Sequence, residues 1–277
     1  MIARSPFLGS LGASKQLIGM VHLQALPGTP RAALSPAEIV AAARAEAEIC
    51  RAAGIDTVLV ENMHDVPYRK GVGPEAVAVA ALAVAEVRRL GLACGVQLLA
   101  GANQEAVAVA HAAGASFVRV EGFVYGQVSD EGYFDACAGD LLRYRREIGA
   151  EAVAICPDIK KKHASHAITA DVDIAETART AQFFLADALI VTGGATGVPA
   201  AVADAKAVRE ATDRPVLIGS GITPEILAEY WPYADGFIVG SCIKKGGHWT
   251  NPICPERVSR LVTEFRRLAA RQEMCDG

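Results

Sequence analysis

The chain has 277 residues, of which 52% are hydrophobic, 21% charged and 6% aromatic. This apolar content argues against disorder, and a chain of this length can bury a core without disulfides or a structural metal. The 27 Lys and Arg against 31 Asp and Glu give a formal charge of −4. No nucleic-acid partner is therefore expected, because non-specific binding to phosphate backbones needs a basic surface.

Charged residues interrupt the apolar stretches of the chain. In the Ala-rich segment 76–91 these are Glu86, Arg88 and Arg89, and no run reaches the roughly 20 apolar residues that span a bilayer. We therefore expect no membrane span. The seven cysteines include no CxxC pair, which indicates neither a disulfide framework nor a zinc ribbon and is typical of a reducing compartment.

Residues 1–15 are interpreted as an irregular N-terminal lead-in. They contain Arg4 and several serines, and no acidic residue precedes Glu38. This composition is faintly similar to that of a mitochondrial transit peptide. We expect a cytoplasmic protein, with organellar (mitochondrial) import as the alternative.

From residue 16 onward, short apolar segments rich in β-branched residues alternate with Ala-rich helical segments. The predicted strands cover 17–23, 55–62, 94–99, 116–121, 152–159, 187–192, 215–221 and 235–241. The predicted helices cover 36–53, 74–91, 103–113, 138–148, 171–184, 199–212, 223–230 and 255–270. This strict alternation predicts an α/β protein with a single (β/α)8 TIM barrel over 16–272 and a tail at 273–277. An open doubly wound sheet is the alternative, but no GxGxxG nucleotide loop follows the first strand.

Polar side chains stand at the ends of the first four predicted strands, where the active sites of TIM barrels lie. They are His22 on the first strand, Glu61 and Asn62 on the second, Gln97 on the third, and Arg119 and Glu121 on the fourth. We expect Glu61 and Glu121 to face each other across the barrel mouth, as an acid/base pair or as ligands of a divalent ion. His22 and Asn62 are candidates for ligand binding, and His22 is equally compatible with a buried structural histidine.

The fifth predicted strand leads into the densest polar run of the chain. Asp158 and Lys160 are two residues apart, so an extended backbone directs both side chains to one side. Turned inward, they would form a carboxylate–ammonium pair suited to proton transfer at carbon, and Lys160 would alternatively form a Schiff base. The other interpretation is a structural ion pair, with Lys161 and Lys162 solvated.

His163 and His166 follow three residues apart. This spacing suits two ligands of a Mg, Mn or Zn ion if the segment is helical. No HExxH-type motif accompanies the two histidines, so no cofactor is assigned and a divalent metal is an alternative.

Glycines and small hydroxyl residues end the last three predicted strands. They are Gly193 and Gly194 after the sixth strand, Gly219, Ser220 and Gly221 after the seventh, and Gly240 and Ser241 after the eighth. Loops at these positions of a TIM barrel commonly bind phosphate, because glycine lets backbone N–H groups approach the anion. We predict a phosphate site here, and the alternative is that the glycines only form tight turns. Lys244 is either a cation beside these loops or a solvated residue, and Trp249 is predicted to lie on a mobile flap that covers a ligand.

Several segments resemble the BtpA family, which includes the SgcQ-like proteins. These segments are 17–30 (LIGMVHLQALPGTP), 57–68, 118–126, 157–168, 188–197, 216–223 and 238–252. The resemblance covers about residues 15 to 270 and implies a barrel similar to the ribulose-phosphate-binding barrels. The family is named for a role in photosystem I biogenesis, whereas its SgcQ-like members accompany proteins of sugar metabolism.

The residues and the resemblance together leave two functional hypotheses. The first is an enzyme, an isomerase, lyase, aldolase or related activity, that acts on a phosphorylated small metabolite such as a sugar phosphate or a nucleoside-like ligand. The second is a non-catalytic assembly or stability factor of the photosystem I biogenesis type. The smooth, Ala-rich helices are also compatible with a homo-oligomer.

Overall fold

The computed structural model describes the backbone of residues 5–276 and the side chains of residues 5–274. The start of the expected lead-in, residues 1–4, and Gly277 of the expected tail lie outside the described residues. In chain order, the strands are β1 (Gln16–His22), β2 (Thr57–Glu61), β3 (Ala93–Gln97), β4 (Phe117–Val120), β5 (Gln127–Ser129), β6 (Gly132–Phe134), β7 (Ala154–Ile159), β8 (Ala164–Ser165), β9 (Leu189–Thr192), β10 (Val216–Gly219) and β11 (Gly236–Val239). The helices are α1 (Pro6–Ala13), α2 (Pro36–Ala53), α3 (Pro74–Arg88), α4 (Asn103–Ala113), α5 (Ala138–Glu147), α6 (Ile174–Phe183), α7 (Val202–Ala211), α8 (Leu227–Tyr230) and α9 (Pro255–Asp276).

Eight parallel strands close into a barrel, so the predicted (β/α)8 fold is confirmed. Their order around the barrel is β1, β11, β10, β9, β7, β4, β3, β2, and the pairing of Gln16 with Gly236 closes the ring. Helices α2 and α4 have the predicted limits. The helix predicted over 223–230 is reduced to the short α8. A turn that contains Pro224 precedes α8, and a 3-10 turn that contains Pro232 follows it.

Residues 6–13 of the expected lead-in are helical, so the interpretation of this part as irregular is wrong. Helix α1 closes the amino-terminal end of the barrel with Phe7 and Leu11, which are 1% and 5% exposed. The Phe7 ring stacks on Phe117 at 4.0 Å between centroids. Gly9 and Gly12 lower the helix propensity of this segment, so its helical pattern is weak in the sequence.

Alternate residues of each strand point into the barrel or outward to the helices. The barrel interior is filled by a cluster that includes Phe7, Ile18, Leu59, Ile190 and Leu217. The outward residues pack with the helices in a second and larger cluster. The polar residues at the carboxyl ends of the strands therefore lie directly above a packed apolar barrel interior.

A small antiparallel sheet of β6, β5 and β8 lies outside the barrel, and the sequence analysis did not predict it. Strands β5 and β6 form a hairpin inserted after β4, and β8 follows β7, so the sheet belongs to the loops at the carboxyl ends of the barrel strands. Asp130 and Glu131 occupy the turn of this hairpin. The insertion brings these two carboxylates to the mouth of the barrel.

None of the helices within residues 5–276 combines the length and the apolar character needed to cross a membrane. The six cysteines whose side chains are described are free thiols. Burial raises the pKa of Cys50 and of Cys94 to about 12. These two thiols therefore stay protonated at neutral pH and serve as small packing groups.

Candidate active site

Three adjacent strands present polar side chains at one level of the barrel mouth. His22 is in register with Glu61 on the next strand, and Glu61 is in register with Gln97 on the strand after it. The three residues are 6%, 6% and 2% exposed. Their positions confirm that the sequence placed the carboxyl ends of β1, β2 and β3 correctly.

Glu61 is the carboxylate at the centre of this mouth. Its Oε2 atom lies 3.6 Å from His22 Nε2, and within the described residues the carboxylate accepts no hydrogen bond. Burial raises the pKa of Glu61, although the positive charges of Arg119 and Lys162 act in the opposite direction. A carboxyl group with a raised pKa and no fixed partner is suited to exchange a proton with a ligand.

His22 is held in one orientation by the segment that follows the last barrel strand. Its Nδ1 lies 3.2 Å from the carbonyl oxygen of Trp249, so Nδ1 donates and Nε2 presents its lone pair toward Glu61. Burial, followed by the charge of Lys244, lowers the pKa of His22 well below its usual value. The imidazole is therefore neutral at pH 7.

Asp158 pairs with Arg119 and not with Lys160, which corrects the sequence expectation. Arg119 donates from Nε and Nη2 to the two Asp158 oxygens at 2.8 Å each, and both side chains are buried. Lys160 has a positive φ of 49° and donates to the Thr169 carbonyl oxygen at 3.3 Å. The left-handed residue ends the strand alternation, so Lys160 does not share the inward side of Asp158.

The two lysines that were interpreted as solvated are site residues instead. Lys161 is 6% exposed and its Nζ donates to Glu121 Oε1 at 2.8 Å. Lys162 lines the cavity together with Glu61 and Arg119. Burial, followed by repulsion from Arg119, lowers the pKa of Lys162. No pattern in the KKK run distinguishes these three positions, so the sequence offered no signal for Lys162.

Glu121 lies at the mouth as predicted, but its carboxylate already accepts hydrogen bonds from other groups of the protein. Besides Lys161, it accepts a hydrogen bond from the Gly101 N–H at 2.8 Å. Glu61 and Glu121 line the same compartment, and only Glu61 remains unpaired in the described part of the chain. The two carboxylates therefore have different environments, which suits an unequal acid/base pair better than two equivalent groups.

The two histidines proposed as metal ligands have other partners. His163 Nε2 accepts the Thr196 N–H at 3.1 Å, and His166 Nε2 lies 3.0 Å from the Lys161 carbonyl oxygen. Their segment is not helical, and His163 has a φ of 55°. Across residues 5–274, no three His, Cys, Asp or Glu side chains are grouped as a metal site requires. A divalent metal stays a prediction, which the ligand experiment below tests.

The glycine and serine loops face this charged group across the mouth. The cavity lined by His22, Glu61, Arg119 and Lys162 is also lined by Gly197, Ser220, Gly221, Gly240 and Ser241. The Ser220 hydroxyl donates to the Ala195 carbonyl and accepts the Gly197 N–H, both at 3.1 Å, and so ties two of the loops together.

Only glycine fits at position 221, because its φ is +68° and a Cβ atom would lie 2.2 Å from the Pro199 nitrogen. Gly219 faces the barrel interior, where its Cβ position is 3.8 Å from Arg119 Nη2. Gly193 packs against the backbone of Val198, and the Gly194 carbonyl accepts the His163 N–H at 3.3 Å. These last two glycines shape the loop after β9 and lie outside the cavity lining.

Asn62 and Lys244 support the site from outside it. Asn62 is 0% exposed and bonds to Asp65 and to both backbone groups of Leu99, so its amide holds neighbouring loops together. Lys244 is 1% exposed, and its Nζ lies 2.8 and 2.9 Å from the two Glu46 oxygens. The interpretation of Lys244 as a solvated residue is wrong, since it is a buried ion-pair partner whose charge still acts on His22 in the cavity.

A second compartment adjoins the first and encloses about 210 Å³. Its apolar walls are Met63, Val66, Tyr68, Leu99 and Trp249, and its polar lining includes Gln97, Asp130, Glu131 and His163. The two compartments share Glu61, Met63, Lys162 and Thr196. Trp249 therefore lies against the second compartment, its covering of a ligand stays a prediction, and Glu61 lies at the junction of the two spaces.

The fold and the site define a (β/α)8-barrel protein with a charged, two-compartment cavity at the carboxyl ends of its strands. The model of the BtpA family matches residues 13–267. The chain belongs to the BtpA family, and the resemblance found in its motifs is confirmed.

Two relatives illustrate the breadth of the family. An uncharacterised mitochondrial protein of Caenorhabditis elegans is 45% identical over 97% of this chain and 99% of its own length. The photosystem I biogenesis protein BtpA of Synechocystis is 35% identical over 89% of this chain and 86% of its own length. Similarity of this extent places the whole barrel within one family.

Solved structures support the same architecture. The (S)-3-O-geranylgeranylglyceryl phosphate synthase of Thermoplasma acidophilum, in complex with sn-glycerol-1-phosphate, matches with a TM-score of 0.58 at 16% identity, covering 93% of this chain and 95% of that one. The orotidine 5′-phosphate decarboxylase of Pyrococcus horikoshii matches with a TM-score of 0.55 at 14% identity, covering 90% and 99%. At these identities the likeness concerns the fold.

Proposed function

We propose that the chain is an enzyme that transfers a proton at carbon in a phosphorylated small metabolite, such as a sugar phosphate or a nucleoside-like compound. The observation that carries the proposal is Glu61, a buried carboxylate that faces the cavity without a hydrogen-bond partner among the described residues. Leaving such a group unpaired costs stability, and proteins accept that cost mainly where the group has a chemical task.

The phosphate is assigned to the loops that follow β9, β10 and β11. Gly197, Gly221 and Gly240 bring backbone close to the cavity, and Ser220 and Ser241 add hydroxyl donors there. Lys162 supplies a positive charge between these loops and Glu61. Two proteins with a similar fold are named for phosphorylated compounds, which agrees with this assignment.

The proposed step begins when Glu61 removes a proton from a carbon next to a carbonyl group. The electron pair of the broken C–H bond forms a carbon–carbon double bond, and the carbonyl π pair moves onto its oxygen. The Lys162 ammonium stabilises the resulting enediolate oxygen. Where the deprotonated carbon carries a hydroxyl group, that hydroxyl proton passes to the enediolate oxygen, Glu61 returns its proton to the former carbonyl carbon, and the isomeric carbonyl compound results. Where the carbon β to the carbonyl carries a leaving group, the enolate electron pair expels that group with its bonding electrons, which completes a lyase reaction.

The geometry favours Lys162 over Lys160 for any amine chemistry at this site. Lys162 lines the cavity and has a lowered pKa, which raises the fraction of neutral amine that a Schiff base requires. Lys160 is half-buried and donates to a backbone carbonyl. Borohydride trapping with a carbonyl ligand therefore distinguishes the two mechanisms: labelling lost in K162M but kept in K160A indicates a Schiff base, and no labelling indicates the enediolate route.

The first test is thermal unfolding of the protein with sugar phosphates, nucleotides and inorganic phosphate, each with and without Mg²⁺, Mn²⁺ or Zn²⁺. A ligand at 100 times its dissociation constant stabilises the fold by about 2.7 kcal/mol. Ser241→Asp places a negative charge in the phosphate loops and should abolish the shift. Ser259→Asp adds the same charge on the exposed face of α9 and should leave the shift unchanged.

Turnover then separates catalysis from binding. For the ligand found, Glu61→Gln should retain the thermal shift and lose at least 100-fold in kcat, the scale typical of general acid–base catalysis. A panel without any phosphate-dependent shift refutes the proposal and favours the assembly-factor alternative, for which the Synechocystis relative is named.

The location proposed for the protein is mitochondrial. Two observations support this location. The N-terminal segment contains Arg4 and has no acidic residue before Glu38, and the Caenorhabditis elegans relative is named as a mitochondrial protein. A fluorescent fusion to the C-terminus should colocalise with mitochondria and become cytosolic when residues 1–5 are deleted. Cytosolic fluorescence from the full chain would contradict this location.

A further inference from the structure

An exposed apolar groove lies in the outer helical layer of the barrel, between α5 and the end of α6. Phe183, Phe184 and Leu185 line it and are 80%, 43% and 62% exposed. Leu142 of α5 lines the same groove, which has a volume of about 560 Å³. Single exposed apolar residues are ordinary on protein surfaces, whereas a contiguous exposed group marks a surface that contacts another molecule.

Leu185 has a backbone conformation that normally belongs to glycine. Its φ is +67°, and its N–H and that of the next residue donate to the carbonyl oxygens of Gln182 and Ala181. Gly54 after α2 and Gly114 after α4 end their helices with the same pair of hydrogen bonds. A leucine at this position strains the backbone and exposes its side chain, so the fold of one chain does not explain it. A contact outside the chain does.

Two charged side chains that line the groove have no ion-pair partner within the described residues. They are Arg143 and Glu147, which lie four residues apart on α5 and are both exposed. Lys206 and Glu210 on α7 have the same order of charges and the same spacing, and they pair with each other at 3.8 Å. Arg143 instead donates to the Gly139 carbonyl oxygen at 2.9 Å. Both charges on α5 are therefore available to another molecule.

The charges of the groove are complementary to those of a second copy of the same groove. The remaining charged residue of the lining, Arg146, pairs with Glu151, so the groove holds one unpaired charge of each sign. A two-fold axis between Arg143 and Glu147 places each of them opposite the other residue in the second copy, so two Arg–Glu pairs form together. An acidic peptide, a basic peptide or an anionic lipid surface would meet a like charge at one of the two positions.

We propose that the protein forms a symmetric dimer through this groove, with α5 of one copy antiparallel to α5 of the other. The two Arg143–Glu147 pairs lie about 6 Å apart along the helix and set the register of the interface. Phe183 and Leu185 of each copy pack against the other copy and supply most of the affinity. The dimer does not depend on the proposed reaction, because no residue that lines the groove lines either compartment of the site.

Sedimentation equilibrium of the full chain measures the dissociation constant of the dimer. Arg143→Glu and Glu147→Arg each place like charges at both contacts and should raise that constant at least tenfold. An equimolar mixture of these two variants should regain a constant within threefold of the parent value, because the acidic side chains of one variant then face the basic side chains of the other. Pairing within one chain cannot produce this recovery. Phe183→Glu should leave the protein monomeric.

Matched variants elsewhere on the surface control for charge and for folding. Lys206→Glu and Glu210→Lys change a pair of the same spacing on α7, and Leu82→Glu changes an exposed leucine of α3, so all three should keep the parent constant. The melting temperature of monomeric Phe183→Glu shows whether that variant is folded. A parent protein that is monomeric at about 100 μM overturns the proposal and leaves the groove to a different partner. A dimer that persists in Phe183→Glu, or a mixture of the two charge variants that does not associate, also overturns it.

Discussion

Replacing Asp158 should destabilise the protein strongly, because its partner would be left as an unpaired buried charge. Arg119 and Asp158 form two hydrogen bonds of 2.8 Å, and their side chains are 4% and 1% exposed. In Asp158→Asn, one carboxylate oxygen becomes an NH2 group that faces an Arg119 N–H, so a donor opposes a donor. Arg119 keeps its charge because its pKa stays far above neutral pH.

The expected loss follows from the burial of the pair. Removal of one partner from a buried ion pair costs about 3–5 kcal/mol. Unfolding entropy of roughly 2.1 cal/mol/K per residue gives about 0.58 kcal/mol/K for 277 residues. The melting temperature of D158N should therefore fall by about 5–9 °C. The double variant R119M/D158L replaces both charges by apolar groups of similar size and should recover most of this loss.

Scanning calorimetry at pH 7 measures all of these changes. Lys160→Ala is the control, because Lys160 is half-buried and makes one hydrogen bond of 3.3 Å to a backbone carbonyl, so its loss should shift the melting temperature by less than about 2 °C. If D158N melts within 2 °C of the parent protein, or if the double variant is no more stable than D158N, the argument from an unpaired buried charge is wrong.

Three further predictions follow from the same structure. Glu61→Gln should stabilise the fold at pH 7 and not at pH 4, as urea unfolding at the two pH values would show. Because burial raises the pKa of Glu61 in the folded state, the free-energy cost of burying its charge grows as the pH rises from the unfolded pKa of about 4.3 to the folded value. Phe7→Ala removes the ring stacked on Phe117 at the barrel base and should cost about 3–5 kcal/mol in urea unfolding, whereas a loss below 1 kcal/mol would show that α1 is dispensable. Gly221→Ala should abolish the phosphate-dependent thermal shift and Gly194→Ala should not, since a Cβ meets backbone at 2.2 Å in the first case and no atom within 4 Å in the second.

The barrel and the inward polar groups on its first strands were predictable because both follow from periodic patterns. Strand alternation with period two directs His22, Glu61 and Gln97 inward once the strand limits are known, and the limits follow from the apolar runs. The glycine and serine loops were predictable for the same reason, since they directly follow strands. Asn62 was placed correctly, but its saturation by loop backbone depends on tertiary contacts that no local pattern encodes.

The missed features have local causes of a different kind. Strands β5 and β6 have three residues each, too few for an alternating pattern to be recognised, so Glu131 was not assigned to the mouth. The left-handed backbone at Lys160 was also invisible, because this conformation is uncommon outside glycine and asparagine. Lys160 ends the regular strand alternation, so the period-two pattern could not place Lys162 in the cavity that it lines.

The electrostatics of the mouth separate groups that hold the site from groups that can react in it. The Arg119–Asp158 and Lys161–Glu121 pairs are buried and hydrogen-bonded at 2.8 Å, so these four side chains already have fixed partners within the protein. Glu61 has no such partner within the described residues, and burial shifts its pKa toward the neutral form. Its protonation state is therefore the one that a bound ligand changes most easily. A barrel selected for stability alone would fill this position with an apolar side chain, because an unpaired buried carboxylate opposes folding.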